Sequence, residues 1–139
     1  MITCDILHAD SSRINLLEEA FWFGIKELMP RKKNLDVTIR LCDYNDSADG
    51  WHMQTDKYEH EIELKKDLDE DDLLTALWHE LVHVRQTESG QLKDNGVLKS
   101  WKGEEYINMF STVDEYMSLP WEKEAYILQE ELLEKWNNK

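Results

Sequence analysis

Apolar positions along the chain recur in two periods, and the switches between them mark out the elements. In "SSRINLLEEAFWFGIKELM", Ile14, Leu17, Phe21, Ile25 and Leu28 return every three or four residues, which predicts a helix. Ser12 is its expected cap and Pro30 its stop. "LDVTIRLCDY" alternates Val37, Ile39 and Leu41, a strand pattern, and "NDSADG" follows as a turn-rich linker. "WHMQT" and "YEHEIEL" predict two more strands. The second sets Tyr58, His60, Ile62 and Leu64 against Glu59, Glu61 and Glu63. Only Asp56 and Lys57 lie between them, which predicts a hairpin although neither residue is glycine.

"DEDDLLTALWHELVHVRQTES" carries the strongest helical signal. Asp69 is its expected cap, with Asp72 three residues on as an approximate capping box. Acidic residues fill the first turn, and Gly90 marks the end. Residues 91–100 read as loop, with a short strand over Val97–Trp101 that Gly103 ends. Residues 104–117 fit helix and irregular chain equally. A last helix begins at Pro120, well placed for a first helical position, and runs to about Trp136. There is no repeat and no low-complexity tract. The order is helix, small sheet, helix, loop, helix. It predicts one α+β domain over residues 1–139, with a small antiparallel or mixed sheet of about three strands packed against two helices.

Charge narrows the functions open to such a domain. Asp and Glu outnumber Lys and Arg 30 to 16, a formal net charge of -14. That balance opposes nucleic-acid binding by phosphate neutralisation and mildly favours basic substrates. Two cysteines, Cys4 and Cys42, do not make a disulfide framework and are expected as reduced thiols in a cytoplasmic protein. "MITCDILHAD" lacks the basic-then-apolar form of a signal peptide, and no apolar stretch reaches membrane-span length, so no membrane partner is expected. The oligomeric state is not legible.

Within the strongest helix, "ALWHELVHVRQ" holds two histidines four apart with a glutamate after the first. At about 100° per residue, Leu73, Leu74, Leu77, Trp78, Leu81, Val82 and Val84 fill one broad arc. His79 and His83 sit together beyond its edge, and Glu80 lies on the flank of that second arc near Ala76. Side chains at i and i+4 stand one above the other, so two imidazole nitrogens converge on one ion. Glu80, displaced around the helix, reaches a water on that ion. This is the H-E-x-x-H arrangement with glutamate as general base. His8, His52 and His60 lack such a setting, and His60 reads as an ordinary sheet residue.

A hydrolytic zinc site needs three protein ligands and an open position. Glu88, Glu104, Glu105, Asp114, Glu115, Glu122 and Glu124 are the downstream candidates. Glu88 lies too far along the same helix to fold back. In "LPWEKEAYILQEELLEKW" the buried arc is Trp121, Ala125, Leu128, Leu132 and Trp136. Glu122 projects beside it, while Glu124 falls on the polar side with Glu131 and Lys135. A carboxylate on a core-facing stripe is costly unless it is paired or bound to a metal, so Glu122 is the better ligand. Ala125 would let this helix come close to its neighbour.

"HELVHVRQ", "WKGEEY" and "YMSLPWEKEAY" together resemble small zincin metallopeptidase-like domains of the glutamate-zincin type. The likeness is to compact bacterial and phage relatives, which are similar to the minimal peptidase domains attached to toxin and phage-regulator proteins. It spans roughly Trp51 to Trp136 and leaves the first helix unmatched. The resemblance implies that His79, His83 and Glu122 bind zinc and that Glu80 is the base. Larger members hold the first histidine with an acidic or amide residue four positions after the ligand glutamate. Here that position is Tyr126, so the role passes to its hydroxyl or to another residue.

The expected function is zinc-dependent peptide-bond hydrolysis of a peptide or protein substrate. Glu80 takes a proton from a metal-activated water and gives it to the leaving amine. Tyr116 is the expected donor to the developing oxyanion, with Tyr106 and His52 as alternatives. A substrate could add to a sheet edge at "WHMQT" or "YEHEIEL". The competing expectation is a zinc-stabilised binding or regulatory domain without turnover. A metal-free acidic binding protein would leave the histidine pair unexplained.

Overall fold

The computed structural model describes residues 1–43, 48–107 and 109–139. Elements run β1 (Ile2–Leu7), α1 (Ser11–Leu28), β2 (Leu35–Cys42), β3 (Gly50–Asp56), β4 (Glu59–Lys65) and α2 (Glu70–Glu88). They continue with β5 (Leu92–Asn95), β6 (Leu98–Trp101), β7 (Glu104–Ile107), α3 (Val113–Ser118) and α4 (Pro120–Asn137). The architecture is α+β, as the periodicity predicts. Tyr44, Asn108 and residues 45–47 of the expected linker lie outside the described residues.

The main sheet has four strands rather than about three, in the order β1-β2-β4-β3. β1, β2 and β4 are parallel, and β3 runs antiparallel on β4 at the edge. The additional strand is β1. Its alternation of Ile2, Cys4 and Ile6 is short and only half-buried, so it gives a weak signal. The β3–β4 hairpin forms without glycine, because Tyr58 itself takes the left-handed conformation (φ 66°) and a bulge falls between Gln54 and Asp56. Leu35, Val37, Ile39 and Leu41 of β2 and Ile62 and Leu64 of β4 are buried.

α1 starts two residues earlier than a cap at Ser12 implies. Asp10, not Ser12, caps it by accepting from Arg13 N at 2.9 Å, and Ser12 donates to that same carboxylate. α1 lies close against α2. A Cβ on Gly24 would stand 2.8 Å from Leu81 Cδ1 and 3.0 Å from Trp78 Cδ1, and the Trp78 indole donates to Ala20 O at 3.0 Å. α2 begins at the expected Asp69 cap, which accepts from Asp72 N at 2.9 Å, and it ends just before Gly90 (φ 79°). On its other flank α2 packs against α4, where Ala125 is fully buried.

Residues 91–107, expected as loop with a short strand at Val97–Trp101 and then as ambiguous chain, form a second sheet, the antiparallel meander β5-β6-β7, in which β6 is the expected strand. Lys102 (φ 51°) and Gly103 (φ 89°) make the tight turn between β6 and β7, so Gly103 turns the chain rather than simply ending a strand. Leu92 and Trp101 of this sheet share a small buried cluster with Trp121 of α4. Among the described residues no helix is long and apolar enough to cross a membrane.

Candidate metal centre

α2 and α4 together bring three ligating side chains to one point. The four-residue spacing stacks His79 and His83, with ring centroids 5.0 Å apart. Pro120 at the first position of α4 sets that helix off so that Glu122 lies in its first turn. The Glu122 carboxylate spans both rings, with Oε1 2.9 Å from His79 Nε2 and Oε2 3.2 Å from His83 Nε2. One ligand atom from each residue lies within 4.8 Å of the others, and all three residues are buried.

The outer contacts fix which nitrogen of each ring faces inward. Gln86 Nε2 donates to the Trp121 carbonyl at 3.0 Å, and a carbonyl only accepts. The Gln86 carboxamide is therefore oriented with Oε1 toward His83, where it accepts from Nδ1–H at 2.8 Å. Gln129 repeats the arrangement, donating to Glu130 at 3.1 Å and accepting from His79 Nδ1–H at 2.7 Å. With the protons fixed on Nδ1, the neutral form of each ring turns a bare Nε2 toward Glu122. This donor set fits a divalent metal ion: two imidazole Nε2 atoms, one carboxylate, and the second ring nitrogens held by amide oxygens. The triad could hold a metal ion, and its chemistry leaves the identity of the metal open.

The expected stand-in for the histidine-holding residue, Tyr126, takes another part. Its ring packs edge-on against His79 with centroids 4.6 Å apart, while Gln129 makes the hydrogen bond. Gln129 stands three residues beyond Tyr126, which still places it on the same face of α4. Glu124 is partly exposed, but it is more than a solvated neighbour. It accepts from Gln86 Nε2 at 3.1 Å and lies 3.6 Å from Arg85.

Charge couples these groups in the metal-free chain. Burial draws the His83 imidazole down, but the carboxylates of Glu122 and Glu80 outweigh it and hold the ring up at about 9. Burial pushes Glu122 up, but hydrogen bonds from His79 and His83 outweigh it and hold the carboxyl well below the usual carboxylate range. Glu80 is buried and its carboxyl is raised, mainly by desolvation, with the two histidines opposing. A Cβ on Gly50 would come within 3.3 Å of Glu80 Cγ, so β3 lies directly over this glutamate.

Glu80, His83 and Glu122 face a cleft of about 980 Å³ between β3 and the meander. Of the expected oxyanion donors, Tyr116 and His52 line this cleft and Tyr106 does not. The Tyr106 ring packs on Trp121, and its hydroxyl donates to Glu104 at 3.2 Å. Burial and the Glu122 charge push the Tyr116 hydroxyl far up, so it stays protonated as a donor. Lys57, Lys93 and Lys99 reach the cleft, against Asp56, Asp94, Glu80 and Glu122.

Sequence reasoning missed the part His60 plays. The ring is buried (1% exposed) and hydrogen-bonded on both sides, to His52 at 2.9 Å and to Glu88 at 2.6 Å. The available signal was a pair of alternating strand histidines, together with a glutamate too far along α2 to be a ligand. Comparison of the chain with protein-family models, with curated proteins and with solved structures finds no match in any of the three.

Proposed function

We propose that the chain is a zinc-dependent peptidase with a glutamate-zincin type of site. The observation that carries the reading is the triad of His79, His83 and Glu122 with both Nδ1 protons held by amides, next to a cleft that Glu80 also faces. Zn²⁺ held by these residues would supply Lewis acidity toward a water and a scissile carbonyl. Glu80, made more basic by burial, takes the proton from the attacking water and passes it to the leaving amine. Tyr116 donates to the developing oxyanion. A substrate strand pairs with β3, the sheet edge that borders the cleft; β4 lies inside the sheet and offers no free edge. A cytoplasmic setting belongs to the same proposal and suits the free thiols of Cys4 and Cys42.

A zinc-stabilised binding domain without turnover is the second reading. It is favoured by the low exposure of the triad, 7% for His79, 8% for His83 and 5% for Glu122. Cleavage of a mixed peptide library by the zinc-loaded chain and by Glu80→Gln separates the two. The peptidase reading expects the variant to keep its zinc and lose at least about 10²-fold in rate. Equal cleavage by both proteins would refute Glu80 as the base, and no cleavage by the wild type would favour the binding domain.

A further inference from the structure

A second set of buried polar side chains leads away from the metal centre. His52 on β3 turns its Nε2 to His60 Nδ1 on β4 at 2.9 Å. His60 turns its Nε2 to Glu88 Oε2 at 2.6 Å, and Glu88 Oε1 meets Lys32 Nζ at 2.5 Å. The Glu88 side chain is only 5% exposed. At the other end the series opens into the cleft. His52 lines its wall, with its ring nearly parallel to that of His83 and centroids 6.3 Å apart.

The buried end dictates the direction of every hydrogen bond. Lys32 is a cation and keeps Glu88 ionised, and a carboxylate only accepts. His60 Nε2 must therefore donate. The single charge of Glu88 is already matched by Lys32, and neither ring has another carboxylate at hydrogen-bond distance among the described residues, so both imidazoles are neutral. A neutral ring has one donor and one acceptor, so His60 Nδ1 accepts and His52 Nε2 donates. His52 Nδ1 then carries a lone pair, and it has no partner among the described residues. A purely structural tie between α2 and the segment after α1 would need only Lys32 and Glu88. It would not need two histidines in line, nor an end in the cleft.

We propose that His52 is a substrate-binding residue whose Nδ1 accepts a hydrogen bond from an N–H or O–H group in the cleft, with His60 and Glu88 as positioning residues that hold it in that tautomer. On the peptidase reading, on which this use rests, the donor is a backbone amide of the peptide lying along β3. A carboxylate or carbonyl oxygen at that point would face a lone pair and be disfavoured, so the site selects for a donor there.

Two measurements on the zinc-loaded full chain test this. Long-range ¹H–¹⁵N NMR reads the tautomers. The expected result is His52 and His60 protonated at Nε2 and bare at Nδ1, and a rise in the Nδ1–H share of His52 in Glu88→Ala. Kinetics on the peptide library read the function. His52→Phe should lose about five- to tenfold in kcat/KM, mostly through KM, as expected for one hydrogen bond. His52→Asn, whose amide oxygen can take the place of Nδ1, should recover most of it. A wild-type His52 protonated at Nδ1, a tautomer indifferent to Glu88→Ala, or a His52→Phe variant with wild-type kcat/KM would each overturn the proposal. The expected tautomers in a chain that cleaves no peptide would overturn the peptidase reading and support the positioning of His52 by His60 and Glu88.

Discussion

Replacing Gln86 with Leu should separate the metal centre from the packing around it. The Gln86 carboxamide is fully buried and satisfies two other buried groups, accepting from His83 Nδ1 at 2.8 Å and donating to the Trp121 carbonyl at 3.0 Å. Leucine keeps much of the volume and removes both partners. An unpaired buried polar group costs about 1–3 kcal/mol, so the metal-free chain should lose on the order of 2–4 kcal/mol. Zinc affinity should fall about 10–100-fold, because His83 loses the group that fixes its tautomer and angle. Gln129→Leu is the control with the opposite balance. Gln129 holds His79 at 2.7 Å, but its other partner is the exposed Glu130, whose place water can take. It should lose about tenfold in zinc affinity with under about 1 kcal/mol of stability. Chelator competition gives the affinities, and urea unfolding of the metal-free proteins gives the stabilities. Zinc binding within about threefold of wild type in both variants would refute the orientation of the histidines by these amides.

Glu122→Ala should remove high-affinity zinc binding and leave both histidines without their shared partner, whereas Glu124→Ala should cost the 3.1 Å contact to Gln86 and the part-exposed 3.6 Å pair with Arg85, together about 1 kcal/mol. Chelator competition on the pair decides this, and loss of the metal from Glu124→Ala alone would show the ligand assignment to be wrong. Zinc uptake should depend on pH. His83 in the metal-free chain is raised from 6.5 to about 9, so its charged form adds stability that is complete below about pH 6.5 and lost as pH rises through 9. Zinc needs the neutral ring, so across that window uptake should release about one proton, and affinity should fall about tenfold for each unit that pH drops. Calorimetry in buffers of different ionisation enthalpy reads the proton, and a pH-independent affinity from 6.5 to 8.5 would refute the His83–Glu122 coupling.

The two helices that carry the triad were legible because their signals are local. Asp69 caps α2, Pro120 opens α4, and heptad-like spacing sets His79, His83 and Glu122 at the borders of apolar stripes. What was illegible depends on contacts distant in the chain. β1 is a half-buried strand whose partner β2 lies some thirty residues away, so Ile2, Cys4 and Ile6 carry little weight alone. The meander is held by Leu92 and Trp101 packing on Trp121, and its second turn places Lys102 in a left-handed conformation that no rule of composition assigns to lysine. The same limit hid the histidine partners. Gln86 lies one turn beyond His83 and could have been read as its holder. Gln129 finds His79 only once α4 is docked on α2. His60 reads as a sheet residue from its alternation, and only the fold brings Glu88 to it.

The most direct test of the account is the metal content of the chain. Protein purified without a histidine tag and without added metal, then equilibrated with one equivalent of zinc and desalted, should hold one zinc per chain by elemental analysis. Zinc should raise the melting temperature by an amount that grows with the logarithm of its concentration over Kd, and Glu122→Ala should abolish both effects. A wild-type chain that retains no zinc, and whose melting temperature ignores it, would contradict the assignment of His79, His83 and Glu122 as a metal centre.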